Sequence, residues 1–343
     1  MDTHLHVCET ALVAGDWDRL YAESLAWSRD PDGTKDPRPL FARNVVYLLQ
    51  GRFADAWKTH ALCLEAAPDI AVVGEWMNDL CHRHQDNGYA HLVMGLFRAQ
   101  SGQSEQSLQS YADAARLLPH SVYPRYFLAQ IHERAGHLEM AIKEYREAVR
   151  LAPEYAPARM NLGVAYQDQG RLEMAIKEYR EVIKITPGDS AAHSNLACAL
   201  AEQGKIEPAL QSYKMALKLN PQDAEVHFAL GGLYETRGRL DLAQKSYQDA
   251  LTANPDFGAA HSALGWLALG KHRLQEAADI FSRALKCDEE DARAYHGIAE
   301  IYAIRGKRQS AMENYTKALK YYRDPEKRNQ IMNQLFQEGQ VGD

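Results

Sequence analysis

The sequence predicts an all-α protein: a solenoid of about nine helix-turn-helix repeats, with one odd inserted helix and a capping helix at the carboxyl end. Three observations lead there. Prolines stand at Pro119, Pro153, Pro187, Pro221 and Pro255, each 34 residues from the next. Gly102, Gly136, Gly170, Gly204, Gly238 and Gly306 keep the same step, with His272 in the one place where glycine is replaced, and so do Ala141, Ala175, Ala209, Ala243, Ala277 and Ala311. The segment Leu138–Glu147, LEMAIKEYRE, recurs letter for letter at Leu172–Glu181. Such periodicity marks a stack of like units, none of which buries its apolar faces without neighbours.

The first two units are divergent and acidic and span 1–70. GDWDRL at Gly15–Leu20, ending at Pro31, marks one near 1–34; GRFADAW at Gly51–Trp57, with Pro68, marks another near 37–70. The step from Pro68 to Pro119 is then 51, one repeat plus half of another. The surplus, 71–87, follows a potential N-cap at Asp69, and Ile70, Val73, Met77, Leu80 and His84 lie along one helical face. An unpaired helix is expected there. It either packs on an edge as a tolerated insertion or acts as a hinge or groove plug between two functional segments.

Seven contiguous units fill 88–325, in frames beginning at 88, 122, 156, 190, 224, 258 and 292. Within one frame Leu162, Ala165 and Tyr166, then Leu172, Ala175, Ile176, Tyr179 and Ile183, recur at helical spacing. Gly170 between the two runs permits the tight turn of a helical hairpin. The periodic alanine is small where helices cross, the aromatic fills the adjacent hollow, and proline stops the second helix. The last two units lack that proline and have Glu289 and Arg323 instead. Asp324-Pro325 then reads as an N-cap with proline at the first helical position. In the closing segment 326–343, Ile331, Leu335 and Phe336 are expected to face the array, and Glu326, Lys327, Arg328, Asn329 and Gln334 water.

The period, with Leu162-Gly163, Tyr166, Ala175, Tyr179 and Pro187, resembles the tetratricopeptide repeat. The resemblance implies a right-handed solenoid whose first helices line a concave binding surface at unit positions two, five, six, nine, twelve and thirteen. Carried over by phase, those positions hold Leu92 and Leu96; Tyr123, Tyr126, Phe127, Gln130 and Glu133; and Met160, Asn161, Val164 and Asp168. They continue through Ser194, Asn195, Cys198 and Glu202, then Phe228 and Glu235, Ser262 and Trp266, and His296 and Glu300. Aromatic and sulfur side chains, types enriched at interfaces, run through this set. A carboxylate recurs near the end of the first helix at Glu133, Asp168, Glu202 and Glu235, which ordinary solvation of helix ends would also explain. The functional alternative is a partner peptide that is apolar with basic character.

Relatives that clamp the acidic tails of heat-shock chaperones use Lys and Arg along this surface. Here Tyr126, Met160, Ser194 and Phe228 occupy those places, against that role. Asn161 and Asn195, one period apart, are similar to the asparagine ladder of the glycosyltransferase that attaches N-acetylglucosamine to Ser and Thr. The ladder stops at Ala229 and Ala263, and at most a mode of holding a peptide main chain carries over.

Composition excludes other classes. With 46 acidic and 39 basic side chains the net charge is −7, so no cationic surplus serves a nucleic-acid backbone. No run approaches the ~18 apolar residues of a membrane span. The first residues have neither a basic nor an apolar leader pattern, and five scattered cysteines suit no disulfide framework, so a cytoplasmic location is expected. His4, His6 and Cys8, and Cys81, His82 and His84, could in principle ligate a soft metal, but solvated or core roles are favoured and no metal or cofactor is assigned. No nucleophile elbow, phosphate-binding loop or zinc-protease motif is present, and no catalytic residue is assigned. The acidity is concentrated in residues 1–87 (14 acidic, 8 basic), which also hold Trp17, Trp27, Trp57 and Trp76. That end reads as a second contact surface, with Trp17 in a core position.

The expected function is therefore a non-catalytic protein-interaction scaffold, adaptor or assembly factor. A structural subunit using its edges and ends, and a regulatory or substrate-recruiting subunit of a separate enzyme, are the alternatives. Self-association stays open.

Overall fold

The computed structural model describes residues 3–30, 36–50, 52–66 and 71–340. Pro31, Gly51, Pro68, Asp69 and Ile70, on which parts of the sequence reading rest, lie outside them. Among the described residues there are twenty helices and no strand. The chain divides into two compact units, Met1–Thr186 and Pro187–Asp343. The sequence suggests one uninterrupted array; because each repeat touches mainly its neighbours, the division falls between two regular repeats without a compositional signal.

The first unit starts with α1 (Thr3–Ala14) and α2 (Trp17–Trp27), followed by α3 (Pro37–Leu49) and α4 (Phe53–Ala66). Helix α5 (Ala71–Arg83) stands alone in the inserted segment. Three regular hairpins follow: α6 (Gly88–Gln100) with α7 (Ser104–Leu117), α8 (Val122–Arg134) with α9 (Leu138–Leu151), and α10 (Ala156–Asp168) with α11 (Leu172–Ile185). The periodic aromatic and alanine build the core. Ala141, Tyr145 and Ala148 of α9, and Ala175, Tyr179 and Val182 of α11, are fully buried. Gly170 joins α10 to α11 at φ +71°, a left-handed conformation that only glycine adopts freely.

Helix α5 buries Val73, Gly74, Trp76, Met77 and Leu80 and packs between α3 and α6. Its Trp76 indole donates to Glu9 Oε1 of α1 at 2.9 Å, and Arg83 ion-pairs with the same carboxylate at 2.8 Å. Helix α1 also rests on α6, where Asn87 Nδ2 donates to the Val13 carbonyl at 2.8 Å. The odd helix is thus a brace that brings the first two hairpins back against α6.

The second unit holds four further hairpins: α12 (Ser190–Glu202) with α13 (Ile206–Leu219), α14 (Ala224–Thr236) with α15 (Leu240–Ala253), α16 (Gly258–Gly270) with α17 (Leu274–Cys287), and α18 (Ala292–Ile304) with α19 (Arg308–Tyr321). Asp189, Asp223 and Asp291 cap the first helices through 3.0–3.1 Å bonds from the N–H groups of Ala192, Val226 and Ala294. His272, where the periodic glycine is replaced, still adopts φ +55°.

Helix α20 (Pro325–Gln340) closes the unit, with Asp324 Oδ1 accepting from Glu326 N at 2.9 Å. Ile331 is fully buried and Leu335 packs beside it, as expected, but Phe336 is 63% exposed. Gln334, expected to face water, reaches inward, donating to Glu300 Oε1 at 2.7 Å and contacting His296 Nε2 at 3.1 Å. A helical wheel cannot show that the neighbouring helix offers polar partners under the cap.

Candidate functional site

The first helices of the regular repeats carry the predicted surface, and in the first unit their inner sides meet in a polar-aromatic network. Tyr155 meets Tyr126 edge-on at 5.3 Å and Tyr123 at 5.9 Å. The Tyr126 hydroxyl accepts from Gln130 Nε2 at 3.0 Å and Asn161 Nδ2 at 3.4 Å, and Asn161 also donates to the Tyr145 hydroxyl at 3.2 Å. The Tyr145 hydroxyl itself donates a hydrogen bond to Glu133 Oε2 at 2.8 Å. Burial, with the Glu133 charge next, pushes the Tyr145 phenol well above its usual range, so it stays a donor.

Six of the predicted surface positions are buried: Leu92, Leu96, Tyr126, Phe127, Ser262 and His296. Tyr126 is 1% and Phe127 4% exposed, beneath Tyr155 and beside Tyr111, which stacks on Phe127 at 5.5 Å. Periodicity gives the side of a helix but not the depth at which a large ring settles. Tyr123, Gln130, Glu133, Met160, Asn161 and Val164 are half-buried, and Asp168 is exposed.

In the second unit Asn195, Phe228, Glu235 and Trp266 are half-buried and Glu202 is exposed. Phe228 packs against Phe257 at 5.2 Å and Tyr247 at 5.4 Å. Trp266 lies edge-on to His296 at 4.9 Å, and its indole donates to the Arg293 carbonyl at 3.2 Å. Ser262 and His296 are buried, the latter under α20.

The carboxylates have different partners within their own repeats. Glu133 and Glu235 accept hydrogen bonds from the periodic tyrosines of their own repeats, Glu235 from Tyr247 at 2.6 Å. Gln167 plays that part for Tyr179 at 3.0 Å, which leaves the next residue, Asp168, exposed. Glu202 accepts from the Cys198 thiol at 3.3 Å.

Opposite the first helices of the first unit lies a cleft of about 380 Å³. Leu96, Ala99 and Gln100 of α6, Tyr111 of α7, and Phe127, Gln130, Ile131 and Arg134 of α8 form one side; Asn44 and Leu48 of α3 and Ala56, Trp57 and His60 of α4 form the other. Gln100 Nε2 donates to Asn44 Oδ1 at 2.6 Å, Phe41 meets Phe97 edge-on at 5.9 Å, and the Tyr155 hydroxyl approaches the Leu49 carbonyl at 3.5 Å. The α3–α4 hairpin therefore faces the surface that the sequence assigned to a partner. Burial lowers the pKa of His60, favouring its neutral form. Of the four amino-terminal tryptophans, Trp57 is 76% exposed, whereas Trp27 and Trp76 are buried and Trp17 half-buried against Tyr89.

The potential metal clusters take other roles. His4 lies 2.6 Å from both Glu23 and Asp30, Cys8 is buried, and the Cys81 thiol donates to the Ala90 carbonyl. Among the described residues no group of three or more His, Cys, Asp and Glu is placed to hold a metal ion. None of their helices is long and apolar enough to cross a membrane.

The sequence profile described as tetratricopeptide repeat matches residues 92–156, 128–190, 233–292 and 262–329, and one described as TPR repeat matches 199–238. These matches span more than half of the chain. The chain belongs to the tetratricopeptide repeat family. No curated protein matches it in sequence. Among solved structures, a tetratricopeptide repeat protein from Parabacteroides merdae is similar at a TM-score of 0.60 and 17% identity, over 73% of this chain and 99% of that one. Cut9-Hcn1, a hetero-tetramer of the APC/C, is similar at 0.55 and 17% identity, over 83% and 59% of the two chains. PilF of Pseudomonas aeruginosa is similar at 0.53 and 18% identity, over 61% and 96%. At these identities the likeness is one of fold.

Within this tetratricopeptide repeat protein the sequence missed the cleft residues Asn44, His60, Gln100 and Arg134, and assigned Trp57 only to a second contact surface at the amino-terminal end. Gln100 and Arg134 stand at the thirteenth position of their repeats, so phase could have flagged them. The opposing wall could not be read, because it comes from a hairpin 56 residues earlier than Gln100 in the Asn44 pair.

Proposed function

We propose that this tetratricopeptide repeat protein is a non-catalytic scaffold or adaptor that holds a segment of a partner protein against its first helices. One observation carries the reading: on the first helices α8 and α10, Tyr123, Met160, Asn161 and Val164 are half-buried and Asp168 is exposed. This combination of apolar, amide and acidic groups suits a partner segment that is apolar with basic character. In the second unit Asn195, Glu202, Phe228 and Trp266 offer the same chemistry.

The test is affinity for peptides selected on the purified chain from a random display library. Val164→Lys with Asp168→Lys removes an apolar contact and reverses a charge on the inner side of α10. Met140→Lys with Met174→Lys makes comparable changes at exposed methionines on the second helices. The reading expects the first pair to weaken binding at least tenfold while melting is unchanged. Loss confined to the second pair would place binding on the outer helices and refute it.

A further inference from the structure

The cleft between α4 and α8 has the make-up of a ligand site. Its volume of about 380 Å³ falls within the ~300–1,000 Å³ of small-ligand and anchor pockets. Leu96, Phe127 and Ile131 supply an apolar floor, and Trp57 stands exposed at the mouth. Among the described residues that line it, Arg134 is the single formally cationic side chain and none is a carboxylate, and His60 is held toward neutrality by burial. Arg134 is exposed and has no hydrogen-bond or ion-pair partner among the described residues. The amides beside it are already committed, Gln130 donating to Tyr126 at 3.0 Å and Gln100 to Asn44 at 2.6 Å.

We propose that this cleft is a specificity pocket for a protein segment carrying a large apolar side chain next to an Asp or Glu. The apolar group fills the floor over Phe127 and Ile131, and the carboxylate pairs with Arg134. An unpaired guanidinium at the rim of an apolar pocket rewards an anion that approaches bidentately. A free carboxyl terminus suits the cleft less well, because capture of a chain end draws on several convergent donors and Arg134 is the one cation among the described lining residues. The proposal rests on the reading that the chain binds protein segments, and it adds the chemistry of one anchor.

The test is a random twelve-residue peptide library, displayed with both ends fused so that no free carboxylate exists, panned on the full chain and on Arg134→Gln. Arg134 ends α8 and is exposed, so the variant is expected to fold, and thermal melting checks this. Wild type is expected to enrich apolar–acidic pairs at least tenfold over the starting pool. Arg134→Gln is expected to lose the acidic preference and keep the apolar one. As a second variant, Ala99→Phe fills the cleft and is expected to remove both preferences. Absence of apolar–acidic pairs among the peptides that wild type enriches, or an acidic preference unchanged in Arg134→Gln, overturns the proposal. So does binding recovered only when a free carboxyl terminus is supplied. If peptides are selected but respond only to Val164→Lys with Asp168→Lys, the scaffold reading stands and the cleft proposal fails.

Discussion

Two adjacent glycines of α14 are predicted to respond oppositely to the same substitution. A Cβ added at Gly231 would sit 2.5 Å from Tyr247 Cε1 and 2.6 Å from its Cδ1, well inside the ~3.5–4.0 Å of a favourable carbon contact. The ring is buried and cannot swing out cheaply. Forcing extra volume into a packed core costs about 1–3 kcal/mol. The shifted ring also strains the 2.6 Å bond from Tyr247 to Glu235, and a bond to a charged acceptor contributes about 1.5–3 kcal/mol. Alanine returns ~1 kcal/mol of helix propensity, so Gly231→Ala should destabilise locally by about 2–4 kcal/mol. At Gly232 the nearest atom is the Tyr247 hydroxyl at 3.9 Å, and Gly232→Ala should stabilise by up to ~1 kcal/mol. Repeat arrays do not unfold in a single step, so the assay is native-state hydrogen exchange of the α14 and α15 amides. A gap of ~3 kcal/mol separates the two variants by at least a hundredfold in exchange rate, at about 1.4 kcal/mol per factor of ten. Equal shifts of the same sign, or a Gly231→Ala protein within twofold of wild type, would refute the packing argument.

Three further outcomes follow from other parts of the chain. His272→Gly should stabilise the α16–α17 hairpin by about 0.5–1 kcal/mol, since the left-handed conformation costs a side chain ~1–2 kcal/mol and glycine's unfolded entropy takes back ~0.5–1; a lower melting temperature would contradict this. The His4 pKa is raised, first by its hydrogen bond to Glu23 and then by Asp30. Its contribution is therefore complete below about pH 6.5 and disappears as pH rises through the raised value. Amides of α1 and α2 should exchange more slowly, after correction for intrinsic rates, at about pH 6 than about pH 8. His4→Gln should flatten that difference, and a profile unchanged by the substitution would count against the role. Burial pushes the Cys63 and Cys81 thiols up to about 11, and Cys287 is exposed. An alkylating reagent near neutral pH should label Cys287 first and reach Cys63 and Cys81 only on unfolding, as peptide mass mapping would show.

The hairpins were legible because their causes are local and repeated. A left-handed turn at Gly170, an alanine at a helix crossing and an aromatic beside it recur every 34 residues, so each repeat confirms the last. The inserted helix was legible as a break in that count. What it does was not, because Trp76 and Arg83 reach back to Glu9, 67 and 74 residues earlier. The candidate site was half legible. Phase placed Val164 and Asp168 on the inner side, yet it could not show that Tyr126 sinks beneath Tyr155. Nor could it show that Glu133 and Glu235 are claimed by tyrosines of their own repeats. The cleft depends on α3 and α4 meeting α6 and α8, a long-range packing event with no periodic signature.

The central claim, that a partner segment lies against the first helices, is tested most directly by hydrogen exchange of the full chain with and without a library-selected peptide. Protection concentrated in first helices such as α8 and α10 is the predicted result. Protection confined to second helices such as α9 and α11, or to the closing helix α20, would contradict it.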